Sequence, residues 1–403
     1  MAVGLQAPSR LYPVKGIRLS ALHCGIKAGS ETKDLALLEI QPGASVAAVF
    51  TKSHFCAAPV SLCKQHLAVQ QSARYLLINS GNANAATGQQ GLDNARACCA
   101  AVAAAGKVGV EEVLPFSTGV IAEQLNIEPV TRAIPDLVDK LAADHWLPAA
   151  EAIMTTDTLP KAISVQLNID NQVVTITGMA KGSGMIKPDM ATMLTYVATD
   201  ARIAAQELTE MLDLLVASSF NCITVDGDTS TNDSCVLIAT GASGVDVDRN
   251  HREFFAALKG LFEQLAQAII RDAEGATKFV EIIIEGAASE ADARCMGFTI
   301  AESPLVKTAL FASDPNWGRF IMAIGRSPVA SIDIDRIDLF LGSVRLLHQG
   351  LPDPAYQESL GQAEMSREEI SIRVNLNLGA ARARIWTSDL SYEYVKINAE
   401  YRS

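Results

Sequence analysis

One segment near the middle of the chain combines residues that could carry out chemistry on its own backbone. Gly182, Gly184 and Pro188 form a loop that runs into a strand-like stretch beginning at Thr192. Glycine tolerates positive φ and close backbone approach, and proline biases the residue before it away from helix. Attack of the Thr192 hydroxyl on the Ala191 carbonyl, followed by hydrolysis, would leave Thr192 as a new N-terminus.

A threonine at an N-terminus carries both a nucleophile and a base. Its free α-amino group has a reference pKa of about 7.7–8.0, so it could take the proton of the hydroxyl. An ordinary turn or a phosphate-binding loop is the alternative for this segment. The loop lacks the Gly-Lys-Ser/Thr ending of a P-loop. The pattern alone leaves self-cleavage and a plain loop open.

A second candidate for chemistry is Ser117-Thr118-Gly119, at the end of a strand-like stretch over residues 113–120. A hydroxyl and a glycine N–H that point at one place can form an oxyanion hole. Serine and threonine also cap helices routinely, and the local pattern by itself favours a cap.

Three polar stretches lie beside predicted elements. A helical pattern over residues 148–154 leads into the hydroxyl-rich run 155–158, and a buried strand ends in the small-residue loop 79–88. That loop could place amides beside a ligand or simply form a turn. Glu274 lies between an amphipathic helix (254–270) and a buried strand (279–284), where it could bind an ammonium group or be a solvated loop acid.

Composition excludes several classes of protein. The 403 residues contain 33 Lys+Arg against 45 Asp+Glu, a net charge of −12, and show no basic cluster, which argues against binding to nucleic acid or to an anionic membrane. No apolar run reaches the roughly 18 residues of a membrane span, and the first residues show no basic region followed by an apolar stretch as in a signal peptide, so we expect a cytoplasmic protein.

The same inventory argues against a metal. The eight cysteines form no Cys-x-x-Cys pair and the six histidines are scattered. The acidic loop that begins at Asp226 has Leu237 where a calcium-binding EF-hand needs glutamate. We therefore expect reduced thiols, no metal ion, and a polar network in the 226–233 loop that supports the site.

The periodicity predicts alternating strands and helices. Strands are expected at 35–40, 45–50, 75–79, 113–120, 163–169, 173–177, 192–198 and 279–284, and helices at 92–105, 208–216 and 254–270, with Gly106 as a helix cap. The predicted domains are a main catalytic domain at residues 1–285, a smaller α+β domain at 286–390 and a C-terminal tail at 391–403 that returns to the site.

Long motifs over the whole chain then point to a family. They are Cys56-Ala-Ala-Pro-Val60, Asn79-Ser-Gly-Asn-Ala-Asn84, Ser117-Thr-Gly119, Met154-Thr-Thr-Asp157, Met179-Ala-Lys-Gly-Ser-Gly-Met-Ile-Lys-Pro-Asp-Met-Ala-Thr-Met-Leu194, Asp226-Gly-Asp-Thr-Ser-Thr-Asn-Asp233, Glu274-Gly-Ala-Thr-Lys278, Ser313-Asp-Pro-Asn-Trp-Gly-Arg319 and Tyr394-Val-Lys-Ile-Asn398. In this order they closely resemble the ornithine acetyltransferases, the bifunctional glutamate N-acetyltransferase/amino-acid acetyltransferases of arginine biosynthesis.

The resemblance implies a self-processing acetyltransferase. The precursor would cut itself between Ala191 and Thr192 into an α chain (1–191) and a β chain (192–403). Thr192 would take acetyl from N-acetyl-L-ornithine and pass it to L-glutamate in a ping-pong cycle, and Thr118 and Gly119 would form the oxyanion hole. The positions that match the substrate-binding residues are Thr155, Lys181, Thr192, Glu274, Asn398 and Ser403.

Further expectations follow from the same family. Lys181 would pair with the substrate carboxylate and Glu274 with its ammonium group. No metal or prosthetic group is needed, and acetyl-CoA stays open as a second acetyl donor. The fold implied is α/β, with helices flanking stacked β-sheets as in self-processing aminopeptidases of the N-terminal-nucleophile type, and with α and β chains assembled as α2β2.

The chain departs from the family pattern at a few positions. Ala86 and Thr387-Ser388 stand where the family has cysteine and Gly-Cys, and the chain ends in Ser403 rather than the commoner threonine. Two other functions stay open: an N-terminal-nucleophile aminopeptidase or amidase that releases its acyl group to water, and an uncut binding protein.

Overall fold

The computed structural model describes residues 2–27, 29–70, 72–187, 193–329 and 332–400. Ala191, Thr192 and Ser403, which the sequence predicts to take part in cleavage or binding, lie outside the described residues. The chain divides into two compact units. The larger comprises Ala7–Asn221 and Thr229–Ile269, and the smaller comprises Met1–Gln6, Cys222–Asp228 and Ile270–Tyr401.

Strands and helices alternate along much of the described chain. The strands are β1 (Ile17–Leu22), β2 (Leu35–Ile40), β3 (Ser45–Phe50), β4 (Tyr75–Asn82), β5 (Val113–Val120), β6 (Lys161–Ile169), β7 (Gln172–Lys181), β8 (Leu194–Thr199), β9 (Ile223–Thr224), β10 (Ser234–Ala239), β11 (Phe279–Ala287), β12 (Asp338–Leu341), β13 (Val344–His348), β14 (Leu351–Pro352), β15 (Glu369–Asn375) and β16 (Ala381–Ser388). The helices are α1 (Ala58–Val69), α2 (Gly88–Gly106), α3 (Ile127–Asp139), α4 (Trp146–Ala152), α5 (Ala205–Ser218), α6 (Arg252–Arg271), α7 (Glu290–Ala301), α8 (Pro304–Phe311), α9 (Gly318–Gly325), α10 (Glu358–Met365) and α11 (Tyr392–Glu400). In the described part of the chain, no helix is both long and apolar enough to cross a lipid bilayer.

Two mixed sheets are stacked in the larger unit. One has the strand order β1-β2-β4-β5 and the other β3-β10-β8-β7-β6. Successive side chains of a strand point to opposite faces, so each sheet offers an apolar face on either side. Leu38, Leu76 and Phe116 of the first sheet share one buried core with Tyr196 and Val236 of the second.

Helices cover the outer faces of this pair of sheets. Leu37, Leu77 and Val113, on the other face of the first sheet, pack with buried residues of α2 and α3. Gly178 of β7 lies so close to α6 that an added Cβ would stand 3.1 Å from Leu261 and Leu265. The predicted α/β class, with helices flanking stacked sheets, is confirmed.

The smaller unit is built on one mixed sheet of seven strands. Its order is β14-β13-β12-β15-β11-β16-β9. One face packs on α7, α8 and α9 through a separate apolar core that includes Ile282, Met296 and Phe320. The contacts divide the chain near residue 270 rather than at 286, because β11 pairs with β15 and β16.

Of two local structures that the sequence predicts, one differs in detail and the other is confirmed. Gly106 is the last helical residue of α2, and the cap is Lys107, in the left-handed region at φ 57°. Position 106 needs a glycine for another reason: an added Cβ would stand 2.7 Å from Cζ of Tyr75. The predicted hairpin 163–177 is confirmed as β6 and β7, turning at Asp170 and Asn171 with positive φ.

Candidate active site

The oxyanion-hole candidates lie at the carboxyl end of β5. β4 and β5 are parallel, and Gly81 is paired with Gly119 at this end of the sheet. Gly119 has φ +130°, and a Cβ there would stand 2.6 Å from the backbone nitrogen of Asn82 and overlap the backbone of Gly81. Glycine is therefore required at position 119 both for its conformation and for its space.

A polar network fixes the backbone around this strand end. Ser117 donates to Asn79 across the two strands at 2.6 Å. Asn232 donates its two amide hydrogens to the carbonyls of Ala83 and Ser117, at 2.6 and 2.9 Å. The loop that carries Asn232 thus supports the strand end, as the sequence predicts. Ser117 is not a helix cap: β5 runs on through Val120, and α3 begins at Ile127.

Lys181 is brought to the same strand end from the second sheet of the larger unit. It is the last residue of β7, is 9% exposed, and its Nζ donates to the hydroxyl of Thr118 at 3.4 Å. Its partner in the strand register is Leu194, the first residue of β8. A cation and a hydroxyl from two different sheets therefore meet at one point.

Asp157 is a further buried residue of this group, which sequence reasoning did not single out as a site residue. Its Oδ1 accepts from Nζ of Lys161 at 2.6 Å and from the backbone N–H of Gly182 at 2.8 Å. Its Oδ2 accepts from the N–H of Thr155 at 3.0 Å. One buried carboxylate therefore joins the Thr155 turn to the end of β7, which brings Thr155, Lys181 and Thr118 into one group.

The charge of Asp157 is stabilised by its neighbours. Burial by itself raises the pKa of a carboxyl group, but the ammonium groups of Lys161 and Lys181 outweigh it and hold the pKa of Asp157 well below its usual range. Two sequence signals mark this residue: it ends the Met154-Thr-Thr-Asp157 motif, and it stands four positions before a lysine that begins a strand.

Glu274 and Asn398 form a second group, in the smaller unit. Nδ2 of Asn398, on α11, donates to Oε2 of Glu274 at 2.7 Å and to the carbonyl of Tyr394 at 3.0 Å. The Tyr394 hydroxyl donates to Asp226 at 3.2 Å, and burial followed by the Asp226 charge raises the pKa of Tyr394. Glu274 is 8% exposed, so it is not the solvated loop acid of the alternative interpretation.

The loop after Glu274 is held by a buried carboxylate, and a buried lysine binds the strand end that precedes this carboxylate. Asp389 accepts from the N–H groups of Thr277 and Lys278 at 2.8 and 3.0 Å. Lys307 donates to the Thr387 hydroxyl at 3.0 Å and to the Ser388 carbonyl. Burial lowers the pKa of Lys307 to about 8, against the pull of Asp389, Asp226 and Glu302. The departure from the family pattern at Thr387 thus supplies a hydrogen-bond acceptor to a buried cation.

The site residues predicted from the sequence therefore fall into two groups. Thr118, Gly119, Thr155 and Lys181 lie together in the larger unit, and Glu274 and Asn398 lie together in the smaller unit. Their roles in binding and catalysis stay predictions.

The chain matches the ArgJ family model over residues 18–403. The arginine biosynthesis bifunctional protein ArgJ of Methylococcus capsulatus is 51% identical over 398 residues, which are 98% of this chain and 97% of that protein. The protein of the same name from Pseudomonas fluorescens is 48% identical over the whole length of both chains. A crystal structure of the arginine biosynthesis bifunctional protein argJ from Bacillus halodurans matches with a TM-score of 0.50 and 40% identity, over 52% of this chain and 100% of that chain.

The stacked α/β fold brings a buried cation, a hydroxyl and a glycine with positive φ together at neighbouring strand ends, an arrangement suited to an enzyme's active site. The family model matches nearly the whole length of this chain, and the relatives that are about 50% identical align with it over nearly the full length of both chains. The chain belongs to the ArgJ family. The predicted family is confirmed, and so is the assignment to the enzymes of arginine biosynthesis.

Proposed function

We propose that this protein transfers acetyl from N-acetyl-L-ornithine to L-glutamate through an ester on Thr192. Thr192 Oγ attacks the acetyl carbonyl, the amide C–N bond breaks, and ornithine leaves with the proton on its amine. The α-amine of glutamate then attacks the ester, which gives N-acetyl-L-glutamate and restores the hydroxyl.

The observation that carries this proposal is the approach of Lys181 Nζ to the Thr118 hydroxyl at 3.4 Å. A tetrahedral oxyanion forms in both half-reactions and needs hydrogen-bond donors held in place beforehand. The Thr118 hydroxyl and the Gly119 N–H serve as those donors, and a neighbouring ammonium strengthens the field that stabilises the negative charge. The Asp157 network keeps Lys181 in place.

Self-cleavage before Thr192 supplies the nucleophile in this account. The β chain would hold 212 of the 403 residues (403 − 191 = 212), or about 53% of the sequence. The Bacillus halodurans chain, all of which is matched, corresponds to 52% of this chain. A separate chain of the length expected for the β chain supports cleavage in the family.

The remaining roles follow from charge. Lys181 and Thr155 bind the α-carboxylate of the amino acid, and Glu274, held by Asn398, binds an ammonium group. Ser403, outside the described residues, contributes a further contact. The acetyl group passes through the protein, so no cofactor is needed, and the functional assembly is α2β2.

A transfer assay tests the function. Purified protein is supplied with N-acetyl-L-ornithine, with and without L-glutamate, and ornithine, acetate and N-acetylglutamate are quantified by mass spectrometry. With glutamate present, ornithine and N-acetylglutamate are expected in equal amounts. Without glutamate, no N-acetylglutamate should form, and ornithine release should stop at one equivalent per acetylated site. Acetate released in step with ornithine would instead identify a hydrolase. Isotopically labelled acetyl-CoA in place of the donor tests the second acetyl source.

A further inference from the structure

Lys27 lies in a loop whose backbone is held by a buried carboxylate. Asp34 is fully buried and accepts from the N–H groups of Cys24, Ile26 and Lys27, at 2.7, 2.7 and 3.2 Å. Gly25 donates to the same carboxylate at 3.0 Å. Four hydrogen bonds to one anion fix the path of the backbone at Lys27 between β1 and β2.

The side chain of Lys27 lies against the strand end that carries the oxyanion-hole candidates. Its Cγ would stand 3.0 Å from a Cβ added to Gly81, and Gly81 is paired with Gly119. Its ammonium group interacts electrostatically with Asp157 and Lys181, the two charged residues at the end of β7 and its supporting turn. Lys27 is therefore a second cation at the group formed by Thr118, Thr155 and Lys181.

The charges of Asp34 and Asp157 act on the Lys27 ammonium, but neither carboxylate forms an ion pair with it. Its Nζ donates to the Lys33 carbonyl at 3.0 Å, and no described carboxylate lies within ion-pair distance of it. Its loop neighbour Lys33, in contrast, pairs with Glu151 at 2.7 Å. An ammonium has three N–H donors, so donors remain for an anion. Burial lowers the pKa of Lys27 against the opposing charges of Asp34 and Asp157, and the like charge of Lys181 lowers it further. A bound carboxylate would favour the charged form of Lys27.

Two neighbouring cations suit a ligand with two anionic groups. The proposed donor, N-acetyl-L-ornithine, carries one carboxylate, whereas the proposed acceptor, L-glutamate, carries two. We propose that Lys27 is a specificity-determining residue that binds the side-chain carboxylate of the acceptor while Lys181 binds the α-carboxylate. This inference rests on the proposed function and adds to it the residue that selects the acceptor.

The test compares glutamate with its neutral isostere glutamine as acceptor. In Lys27→Met we expect the KM for glutamate to rise by about 10- to 100-fold, the loss expected for one hydrogen bond to a charged group. The KM for glutamine should change less than about 2-fold, so that the preference for glutamate over glutamine shrinks. The donor half-reaction, followed as acetyl-enzyme by intact mass, should keep its rate within about 2-fold.

Two variants serve as controls. Lys27→Arg keeps the charge and should retain most of the preference for glutamate. Lys140→Met removes a surface lysine that pairs with Asp136 at 3.6 Å, and it should leave the KM for both acceptors unchanged. Equal losses with glutamate and glutamine, or a donor half-reaction slowed as much as the acceptor one, would overturn the assignment. Wild-type protein without any acetyl transfer would instead overturn the proposed function, and this inference with it.

Discussion

Lys181 and Thr118 are 63 positions apart in the chain, yet the ammonium group of one lies 3.4 Å from the hydroxyl of the other. Lys181 ends β7 in one sheet of the larger unit, and Thr118 lies near the end of β5 in the other. The stacking of two sheets therefore places a positive charge on the hydroxyl that the proposed mechanism uses to stabilise an oxyanion.

Replacing Lys181 with methionine should lower kcat with both substrates. Loss of an oxyanion-stabilising group typically reduces kcat by about 10²–10³-fold. Steady-state kinetics of the two half-reactions measure the effect. Lys259→Met, which removes a helix lysine paired with Glu263 at 3.8 Å, is the matched control and should leave both rates unchanged. A Lys181→Met enzyme with wild-type kcat would contradict the role given to Lys181.

Gly119→Ala should abolish activity and destabilise the larger unit. The new Cβ would overlap the backbone of Gly81, and φ +130° is strained for any L side chain, which together cost at least about 1–3 kcal/mol. Gly43 also has a positive φ, of +82°, but a Cβ added there meets nothing within 4 Å. Thermal unfolding of Gly119→Ala and Gly43→Ala separates strain from overlap, and equal losses of stability would show that the contact with Gly81 is unimportant.

Asp157→Asn should be strongly destabilising near neutral pH. Removing one partner of a buried ion pair leaves the other uncompensated and costs about 3–5 kcal/mol. The pKa of Asp157 is lower in the folded than in the unfolded protein, where it is about 3.9. Its contribution to stability is therefore fully present above that pH and is lost as pH falls through the lower, folded value.

Denaturant unfolding over a range of pH measures this contribution. The difference between wild type and Asp157→Asn should be constant from about pH 8 to 5 and shrink only below about pH 4. The surface variant Asp136→Asn, whose partner Lys140 lies 3.6 Å away, should cost less than about 1 kcal/mol. A difference that already shrinks between pH 7 and 5 would mean that the folded pKa of Asp157 is not lowered.

Glu274 and Asn398 should act as one unit in substrate binding. Glu274→Gln and Asn398→Ala should each raise the KM of the amino-acid substrates, and the double variant should lose less than the sum, with a coupling of about 0.5–3 kcal/mol. The measurement is a double-mutant cycle on KM. Glu369→Gln, which breaks an exposed pair with Arg271, is the control. Additive effects would mean that their 2.7 Å hydrogen bond has no part in binding.

The local sequence pattern predicted strands and loops well where the residues of one strand or turn are enough to identify it. The bounds of β5 and the loop position of Glu274 agree with the sequence prediction because alternation and turn residues are local features. Asp157 was not predicted as a site residue, since its importance depends on burial and on Gly182, 25 positions away. The role of Gly106 was misassigned for the same reason: the ring that limits its size belongs to Tyr75, on another element.

The order of strands within the sheets also lay beyond the local pattern. β10 pairs with β3 and β8, and β9 reaches β16 across more than half of the smaller unit's chain. Such pairings depend on which apolar faces find each other, and a single sequence carries no direct record of them. The family motifs supplied the candidate residues, and the fold then divided them into two groups.

The most direct test of the account is the intact mass of purified wild-type protein and of Thr192→Ala, before and after incubation with N-acetyl-L-ornithine. Wild type should give two chains of 191 and 212 residues (403 − 191 = 212), and only the larger should gain one acetyl group. Thr192→Ala should stay whole and unmodified. A single uncut wild-type chain without an adduct would contradict Thr192 as the nucleophile and leave a binding protein as the better interpretation.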